Sequence, residues 1–293
     1  MWHVQRTLNV SERRACRVLG QSRSTQRYPA KRPDEDLLLL KAMEDLRRQN
    51  PRYGYRRIRR ELVKKGWRVN VKRVHRLWKE AGWQIWQKGK KRRRMGSSEN
   101  GSALKRAERR NHVWSYDFVY DRTEGGQQLK FLPVMDEYTR TSLALEVDRS
   151  ITGEDVVDVL AYLFDVHGEP EYIRSDNGPE FVAKVVREWL EASGVDTLFI
   201  EPGSPWENGH IESFNSRFRD EFLNMELFSS VREAQVLAER HRVHYNLDRP
   251  HSSLGYLSPA EFVASLPEQA LLPRAAGEAS DSPGVRELLL TLS

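Results

Sequence analysis

Apolar positions between residues 34 and 83 recur at helical spacing in three successive segments. The first begins at three acidic residues, 34–36, which the helix macrodipole favours at an N-terminus, and it ends at Asn50. The second covers 55–65, and the third follows the capping residue Asn70. Their outward positions are basic: Arg56, Arg57, Arg59, Arg60, Lys72, Arg73, Arg76 and Lys79. Three helices with a basic third one are typical of a helix-turn-helix DNA-binding domain, here 31–86, although a bundle with solvated charges has the same pattern.

The segments on either side of this domain are basic but weakly patterned. Residues 1–30 predict a short basic helical segment, with Ser11 as an N-cap and Gly20 at a helix end, or else a frayed arm. Residues 87–111 predict a flexible basic linker. It carries a dense run of cations, typical of phosphate contacts or of a solvated tether: Lys88, Lys90, Lys91, Arg92, Arg93 and Arg94.

From residue 112 the pattern changes to strands and alternating helices. The predicted strands are 112–120, with Asp117 inside it, 129–135, 142–147, 171–174 and 195–200. The predicted helices start at the capping residue Thr152, at Pro179 and near Asn208. This order predicts an α/β domain over 112–225 with a mixed five-stranded sheet and helices. A C-terminal helical subdomain, 226–267, and a flexible tail, 268–293, follow.

The charge of the 293-residue chain divides sharply along its length. Residues 1–112 hold 33 Lys and Arg against 10 Asp and Glu, a net +23, whereas residues 113–293 hold 15 against 32, a net −17. A segment of +23 indicates a polyanionic partner, most often nucleic acid.

Other classes of protein are excluded by composition. Cys16 is the only cysteine, so neither an internal disulfide nor a multi-cysteine zinc site can form within one chain. No stretch approaches the roughly 20 apolar residues of a membrane span, and the N-terminus lacks a signal-peptide pattern. We therefore expect a cytoplasmic protein without a membrane partner.

Three acidic residues lie at positions of the α/β domain where their carboxylates could converge on one point. Asp117 lies within a predicted strand, where aspartate is depleted, and Asp176 ends another strand. Glu212 lies beside the apolar stripe of the last predicted helix of the α/β domain, and Arg219 follows two turns later. Converging carboxylates hold hard divalent cations such as Mg²⁺. Individually, however, the three fit a bulge, an Asx-turn and a surface glutamate.

The words around these acids resemble those of the DDE transposases of two-frame bacterial insertion sequences, whose catalytic core is like retroviral integrase. The resemblance is to the downstream-frame product, and it covers roughly residues 10–265. Asp176 and Glu212 have 35 residues between them. The matching words are RYGYRRI (52–58), WSYD (114–117), SDNGPEF (175–181), GSPWENGHIESF (203–214) and, between 245 and 262, YN, RPHSSLGY and SPAEF. Arg219 stands where the family often has lysine.

The resemblance implies an RNase H-like fold for the α/β domain. It also implies that Asp117, Asp176 and Glu212 bind two Mg²⁺ ions, for which Mn²⁺ can substitute. The implied reaction is metal-dependent DNA cleavage and strand transfer at the ends of an insertion sequence. The expected DNA contacts are Arg219, Arg56, Arg57, Lys72, Arg73, Arg76, Lys90, Lys91, Arg92, Arg93 and Arg94.

The implied partners are element-end and target DNA, further copies of the chain on that DNA, and an upstream-frame DNA-binding protein. A nucleoid-associated location follows from the substrate. Two other functions stay open on the sequence alone: a non-catalytic DNA-binding regulator, and a related metal-dependent nuclease that does not join strands.

Overall fold

The computed structural model of the chain describes residues 2–27, 33–84, 106–175, 184–199 and 209–267. The chain forms two compact units, 1–87 and 88–293. Its helices are α1 (Trp2–Leu8), α2 (Glu12–Val18), α3 (Arg23–Gln26), α4 (Pro33–Gln49), α5 (Tyr55–Lys64), α6 (Val71–Glu80), α7 (Gly153–His167), α8 (Lys184–Ala192), α9 (Gly209–Phe218), α10 (Val231–Leu247) and α11 (Pro259–Ala264). Its strands are β1 (Val113–Tyr116), β2 (Val119–Arg122), β3 (Gln128–Asp136), β4 (Ser142–Asp148), β5 (Tyr172–Ser175) and β6 (Asp196–Phe199). No helix in the described ranges is both long and apolar enough to span a membrane.

The first unit contains the predicted three-helix arrangement. Helices α4 and α5 begin and end within two residues of the predicted positions, and α6 begins directly after its predicted cap, Asn70. The Asn70 side chain caps α6 by accepting a 2.9 Å hydrogen bond from the Lys72 backbone N–H. The three helices enclose one apolar core, which includes Leu39, Met43, Ile58, Leu62, Val74, Leu77 and Trp78. In the preceding segment Ser11 caps α2, as the sequence predicts.

The second unit is built on a mixed sheet. Strand β3 pairs antiparallel with β4 on one side and with both β1 and β2 on the other. Strand β1 pairs parallel with β5, and β5 pairs parallel with β6. The sheet therefore has an antiparallel half at one edge and a parallel half at the other, as the sequence predicts for an α/β domain with a mixed sheet.

The prediction that Asp117 lies inside a strand is wrong. The predicted strand 112–120 is divided into β1 and β2, so the five predicted strands become six segments, and Asp117 lies in the interruption. The Glu137 N–H donates to the Val113 carbonyl, and ladder bonds in an antiparallel pair recur at every second residue pair. That repeat brings Pro133 of β3 opposite Asp117, where proline has no N–H to donate.

Helices cover both faces of the sheet. On one face α7 and α8 pack Val156, Leu160 and Leu190 against Trp114 and Leu132, among others. Thr152 is the N-cap of α7 and forms a capping box with Asp155, as the sequence predicts. Aromatic rings also contact one another on this face, including Trp114 and Phe164 with ring centroids 5.7 Å apart.

The opposite face is covered by α9 and α10, which share one hydrophobic core with the sheet. Phe214 and Phe218 of α9 and Ala238 and Tyr245 of α10 lie in the same buried cluster as Phe131 of β3. The predicted C-terminal helical subdomain, 226–267, thus contributes α10 to the core beneath α9.

The predicted helix 208–223 changes its winding in its last part. Helix α9 ends at Phe218, and residues Arg219–Leu223 form a π-helical turn. Segments of this type are rare and frequently accompany functional sites. Helix α8 begins at Lys184, and Pro179, where the sequence predicts the start of a helix, lies outside the described residues. Asp176, the cationic run 90–94 and the tail 268–293 also lie outside them.

Candidate active site

Asp117 follows β1 directly, at the interruption opposite Pro133. Side chains alternate between the faces of a strand, so Asp117 belongs to the same face as Ser115 and Val119. Val119 lies in the cluster that contains the apolar stripe of α9. The carboxylate is therefore on the side of the sheet that α9 covers, and its side chain is half-buried.

A side chain of α9 binds this carboxylate. The Asn215 side-chain amide donates a 2.9 Å hydrogen bond from Nδ2 to Oδ2 of Asp117. Asn215 Oδ1 is buried and has no hydrogen-bond partner within the described residues. Asn215 was not among the predicted site residues, and its signal in the sequence is its position one turn after Glu212 on the same side of the helix.

Glu212 and Arg219 lie at opposite ends of this part of the chain. Glu212 is exposed on the first turn of α9, while Ile211 and Phe214 on either side of it are buried. Arg219 donates a 3.2 Å hydrogen bond from Nη2 to the Tyr120 carbonyl on β2. Two hydrogen bonds, from Asn215 and Arg219, thus join α9 and the π-helical turn to the backbone segment that contains Asp117.

The third predicted acid, Asp176, is outside the described residues, so its contacts are not part of this geometry. Among the residues that are described, no group of three His, Cys, Asp or Glu side chains forms a metal site. The strand that precedes Asp176 in the sequence is described, and so is its register with β1. Strand β5 ends at Ser175, and its parallel register with β1 pairs Arg174 with Ser115.

Two buried ion pairs lie in the same unit. Arg249 binds Glu221 of the π-helical turn through two hydrogen bonds of 2.6 and 2.9 Å, and both side chains are buried. Arg249 Nη1 also lies 2.8 Å from His251 Nε2. Elsewhere Arg174 Nη1 lies 3.4 Å from Oε1 of the buried Glu137. Burial raises the pKa of Glu137 to about 7, against the opposing charge of Arg174.

Two histidines of the second unit have a pKa that burial lowers. Burial lowers the pKa of His210, at the start of α9, to about 4, and the positive charge of Arg140 and Arg174 acts in the same direction. Burial likewise lowers the pKa of His241 on α10 to about 4. The His241 ring packs against Phe222, with centroids 4.7 Å apart, so it is a structural residue of the core.

The basic residues predicted to contact DNA from the helical unit fall into two groups. Arg73 and Arg76 of α6 both bind Asp36 of α4, with nitrogen–oxygen distances of 2.6 and 2.7 Å. These bonds, with that from Arg76 foremost, lower the pKa of Asp36. Lys72 and Arg56 are exposed, whereas the Arg57 guanidinium lies 5.2 Å from the Tyr53 ring centroid.

Both units of the chain match known protein families. An HTH-like domain matches residues 33–91, and two integrase core domain families match residues 107–205 and 193–259. The chain is 38% identical over 261 residues to the insertion element IS407 uncharacterized 31.7 kDa protein of Burkholderia multivorans, covering 89% of this chain and 93% of that protein. It is 38% identical to the insertion element IS476 uncharacterized 39.2 kDa protein of Xanthomonas euvesicatoria, covering 87% of this chain and 73% of that protein.

More distant similarities include a transposase and a solved integrase. The chain is 26% identical to the transposase InsD of insertion element IS2D of Escherichia coli, over 89% of each chain. The integrase catalytic core domain of HTLV-2 has 13% identity and a TM-score of 0.41, covering 54% of this chain and 99% of that domain.

The order of the strands, the helices on both faces and the integrase-core matches together define an RNase H-like catalytic domain. The helix-turn-helix domain that precedes it is a DNA-binding domain. The chain is a polynucleotidyl transferase acting in DNA transposition, and it belongs to the family of DDE transposases encoded by bacterial insertion sequences.

Proposed function

We propose that this transposase cleaves DNA at the ends of its element and joins the freed 3′ ends to target DNA, with Asp117, Asp176 and Glu212 as metal ligands. The observation that carries the proposal is the hydrogen bond between Asn215 and Asp117, because it brings the helix of Glu212 to the first acid. The register between β1 and β5 supports a role for Asp176. One step beyond each paired strand end, the sequence has Asp117 and Asp176.

The residues present fit a divalent cation. Asp117 and Glu212 supply carboxylate oxygens, the ligand type that Mg²⁺ prefers. The buried Asn215 Oδ1 is an acceptor beside the Asp117 carboxylate, and a water molecule of a hydrated cation would satisfy it. Two Mg²⁺ ions, or Mn²⁺ in their place, would supply Lewis-acid activation of the attacking and leaving oxygens.

The proposed reaction has two steps at phosphorus. Water attacks the phosphodiester at the element end, which breaks the bond to the 3′ oxygen and leaves a 5′ phosphate on the flanking DNA. The freed 3′ hydroxyl then attacks a target phosphodiester, so one bond forms and one breaks, and a target 3′ hydroxyl leaves. In both steps Asn215 orients the Asp117 carboxylate. Arg219, which donates to the Tyr120 carbonyl three residues after Asp117, would bind a DNA phosphate beside the site.

DNA is held by basic residues from several parts of the chain in this proposal. Arg219 acts in the catalytic domain, while Arg56, Arg57 and Lys72 act in the helix-turn-helix domain. The linker residues Lys90, Lys91, Arg92, Arg93 and Arg94 contact phosphates. Further copies of the chain, and an upstream-frame DNA-binding protein, would complete the assembly on paired ends at the nucleoid.

The test is a cleavage and joining assay with the full chain. A labelled duplex carrying a candidate element end is incubated with Mg²⁺ or Mn²⁺, beside Asp117→Asn, Asp176→Asn and Glu212→Gln. Glu226→Gln is the matched control, because Glu226 is exposed beyond the π-helical turn. We expect nicked and joined products from the wild type and the control, and neither from the three triad variants.

Other outcomes separate the alternative functions. Nicking without joined products would identify a metal-dependent nuclease. DNA binding without nicking, unchanged by the triad substitutions even after the upstream-frame protein is added, would identify a regulator and overturn the proposal. Triad variants that retain wild-type nicking would show that the chemistry lies elsewhere.

A further inference from the structure

Helix α6 is the third helix of the helix-turn-helix domain, and its arginines are engaged within the protein. Arg73 binds Asp36 Oδ1 through Nε at 2.7 Å, and Arg76 binds Asp36 Oδ2 through Nη2 at 2.7 Å. Arg76 also binds Glu80, with Nη1 3.1 Å from both carboxylate oxygens. These bonds fasten α6 to the first turn of α4, and a DNA phosphate would have to compete with Asp36 for both guanidinium groups.

Besides Arg76, whose side chain is half exposed, α6 has a second row of exposed side chains. Lys72, His75 and Lys79 are exposed, at positions i, i+3 and i+7, whereas Val74, Leu77 and Trp78 are buried. Residues at this spacing lie along one side of a helix. The imidazole of His75 is therefore in the middle of the exposed side, with a lysine on either side of it.

His75 is also oriented by the preceding helix. Its ring lies 4.5 Å from the ring centroid of Tyr55, the first residue of α5, at an interplanar angle of 40°. The Tyr55 hydroxyl accepts a 3.1 Å hydrogen bond from Arg56 Nε, and the Arg56 Cζ lies 5.6 Å from the same ring. Tyr55 is half-buried against the apolar core, so its ring provides a fixed support for an exposed imidazole.

An oriented imidazole can both donate and accept hydrogen bonds, which suits it to base edges in the major groove. Flexible lysines, by contrast, bind phosphates as point charges without reading sequence. We propose that His75, supported by Tyr55, reads bases of the element end, while Lys72 and Lys79 contact phosphates and Arg73 and Arg76 position α6. The inference rests on the proposed function only in taking element ends as the DNA that is bound.

The test uses the full chain and a pool of duplexes with a randomised central segment. The sequences bound by the wild type are recovered, and affinities for a selected and a scrambled duplex are compared for wild type, His75→Ala, His75→Asn and Lys72→Ala. We expect His75→Ala to lower the preference for the selected duplex by about 5- to 100-fold while its affinity for the scrambled duplex is unchanged. Lys72→Ala should weaken both equally and reduce the salt slope by about 1.

His75→Asn distinguishes the reading of bases by residue 75 from a structural disturbance of α6. Asparagine pairs with adenine through two hydrogen bonds, so this variant should select a different sequence rather than none. The proposal is overturned if the wild type selects no sequence, or if His75→Ala weakens binding to both duplexes by the same factor. Nicking and joining are scored separately, so a wild type that discriminates sequences but cleaves nothing would count against the proposed function alone.

Discussion

Asn215 and Asp117 are 98 residues apart in the chain, yet the amide of one donates a 2.9 Å hydrogen bond to the carboxylate of the other. This bond uses Oδ2 of Asp117, so it fixes the orientation of the carboxyl group with respect to α9. Groups that orient a metal ligand, the role proposed for Asp117, typically contribute 10- to 100-fold to metal affinity or activity.

We therefore predict that Asn215→Leu, which keeps the approximate volume of the side chain, lowers nicking by about 10- to 100-fold at limiting Mg²⁺. Part of the loss should be recovered at high Mg²⁺, because the change acts on metal affinity. The measurement is nicking rate against Mg²⁺ concentration. Ser216→Ala, on the exposed side of the same helix, serves as control and should behave like wild type. An unchanged metal dependence in Asn215→Leu would remove this residue from the site.

The buried pair between Arg249 and Glu221 yields a prediction about stability. Arg249→Met leaves the Glu221 carboxylate buried without its partner, and this should lower the free energy of unfolding by about 3–5 kcal/mol. The double variant with Glu221→Leu should recover most of the loss, because neither charge then remains. Denaturant unfolding of the full chain measures both.

The control for that comparison is an exposed pair. Lys184 and Glu188 lie on α8 with their charged atoms 3.3 Å apart, and both side chains are well exposed. Glu188→Gln should change the free energy of unfolding by only about 0–0.5 kcal/mol. Equal effects of Arg249→Met and Glu188→Gln would show that the buried pair contributes no more to the free energy of unfolding than an exposed pair does.

Glu137 gives a prediction about pH. Its pKa in the folded protein is about 7, above the ordinary value of 4.5, so folding takes up a proton between these values. This group's contribution is therefore fully present below about pH 4.5 and is lost as the pH rises through about 7. Glu137→Gln should make the melting temperature less dependent on pH between 5 and 7, relative to wild type. Parallel curves for the two proteins would contradict the assigned pKa.

Asp36 provides a prediction about DNA affinity. Asp36 binds both Arg73 and Arg76, so Asp36→Asn removes the carboxylate that the two guanidinium groups share. Arg73 keeps Glu35 and Arg76 keeps Glu80, so a DNA phosphate then competes with one carboxylate fewer at each arginine. We expect tighter binding to a scrambled duplex at low salt, and a salt slope that is steeper by up to about 2. Fluorescence anisotropy at several salt concentrations measures it. Asp34→Asn, in the same first turn of α4, removes an equal charge without releasing either arginine, so a similar gain there would attribute the effect to net charge.

Local signals were sufficient to predict much of the fold. Asn70 and Thr152 are capping residues whose effect is confined to one helical turn, and both cap helices where the sequence indicated. The interruption at Asp117 could not be predicted in the same way. It depends on Pro133, a residue of a different strand, and becomes visible only once the register is known.

The site was predicted unevenly for the same reason. Asp117 and Glu212 are embedded in recognisable words, whereas Asn215 is a single amide in a helix and acquires meaning only from the residue it binds. Arg73 and Arg76 were assigned outward positions from helical periodicity. Periodicity describes one helix at a time and does not report that Asp36 of α4 lies within reach.

The shared core beneath α9 has a consequence for the inheritance of the element. The three acids are encoded before residue 226, but Ala238 and Tyr245 of α10 cover the same aromatic cluster that supports the helix of Glu212. A genomic copy with a premature stop codon between 226 and 245 would still encode Asp117, Asp176 and Glu212. It would lose Tyr245 of α10, which packs in the aromatic cluster beneath α9. We expect such copies to be inactive in transposition even though Asp117, Asp176 and Glu212 are still encoded.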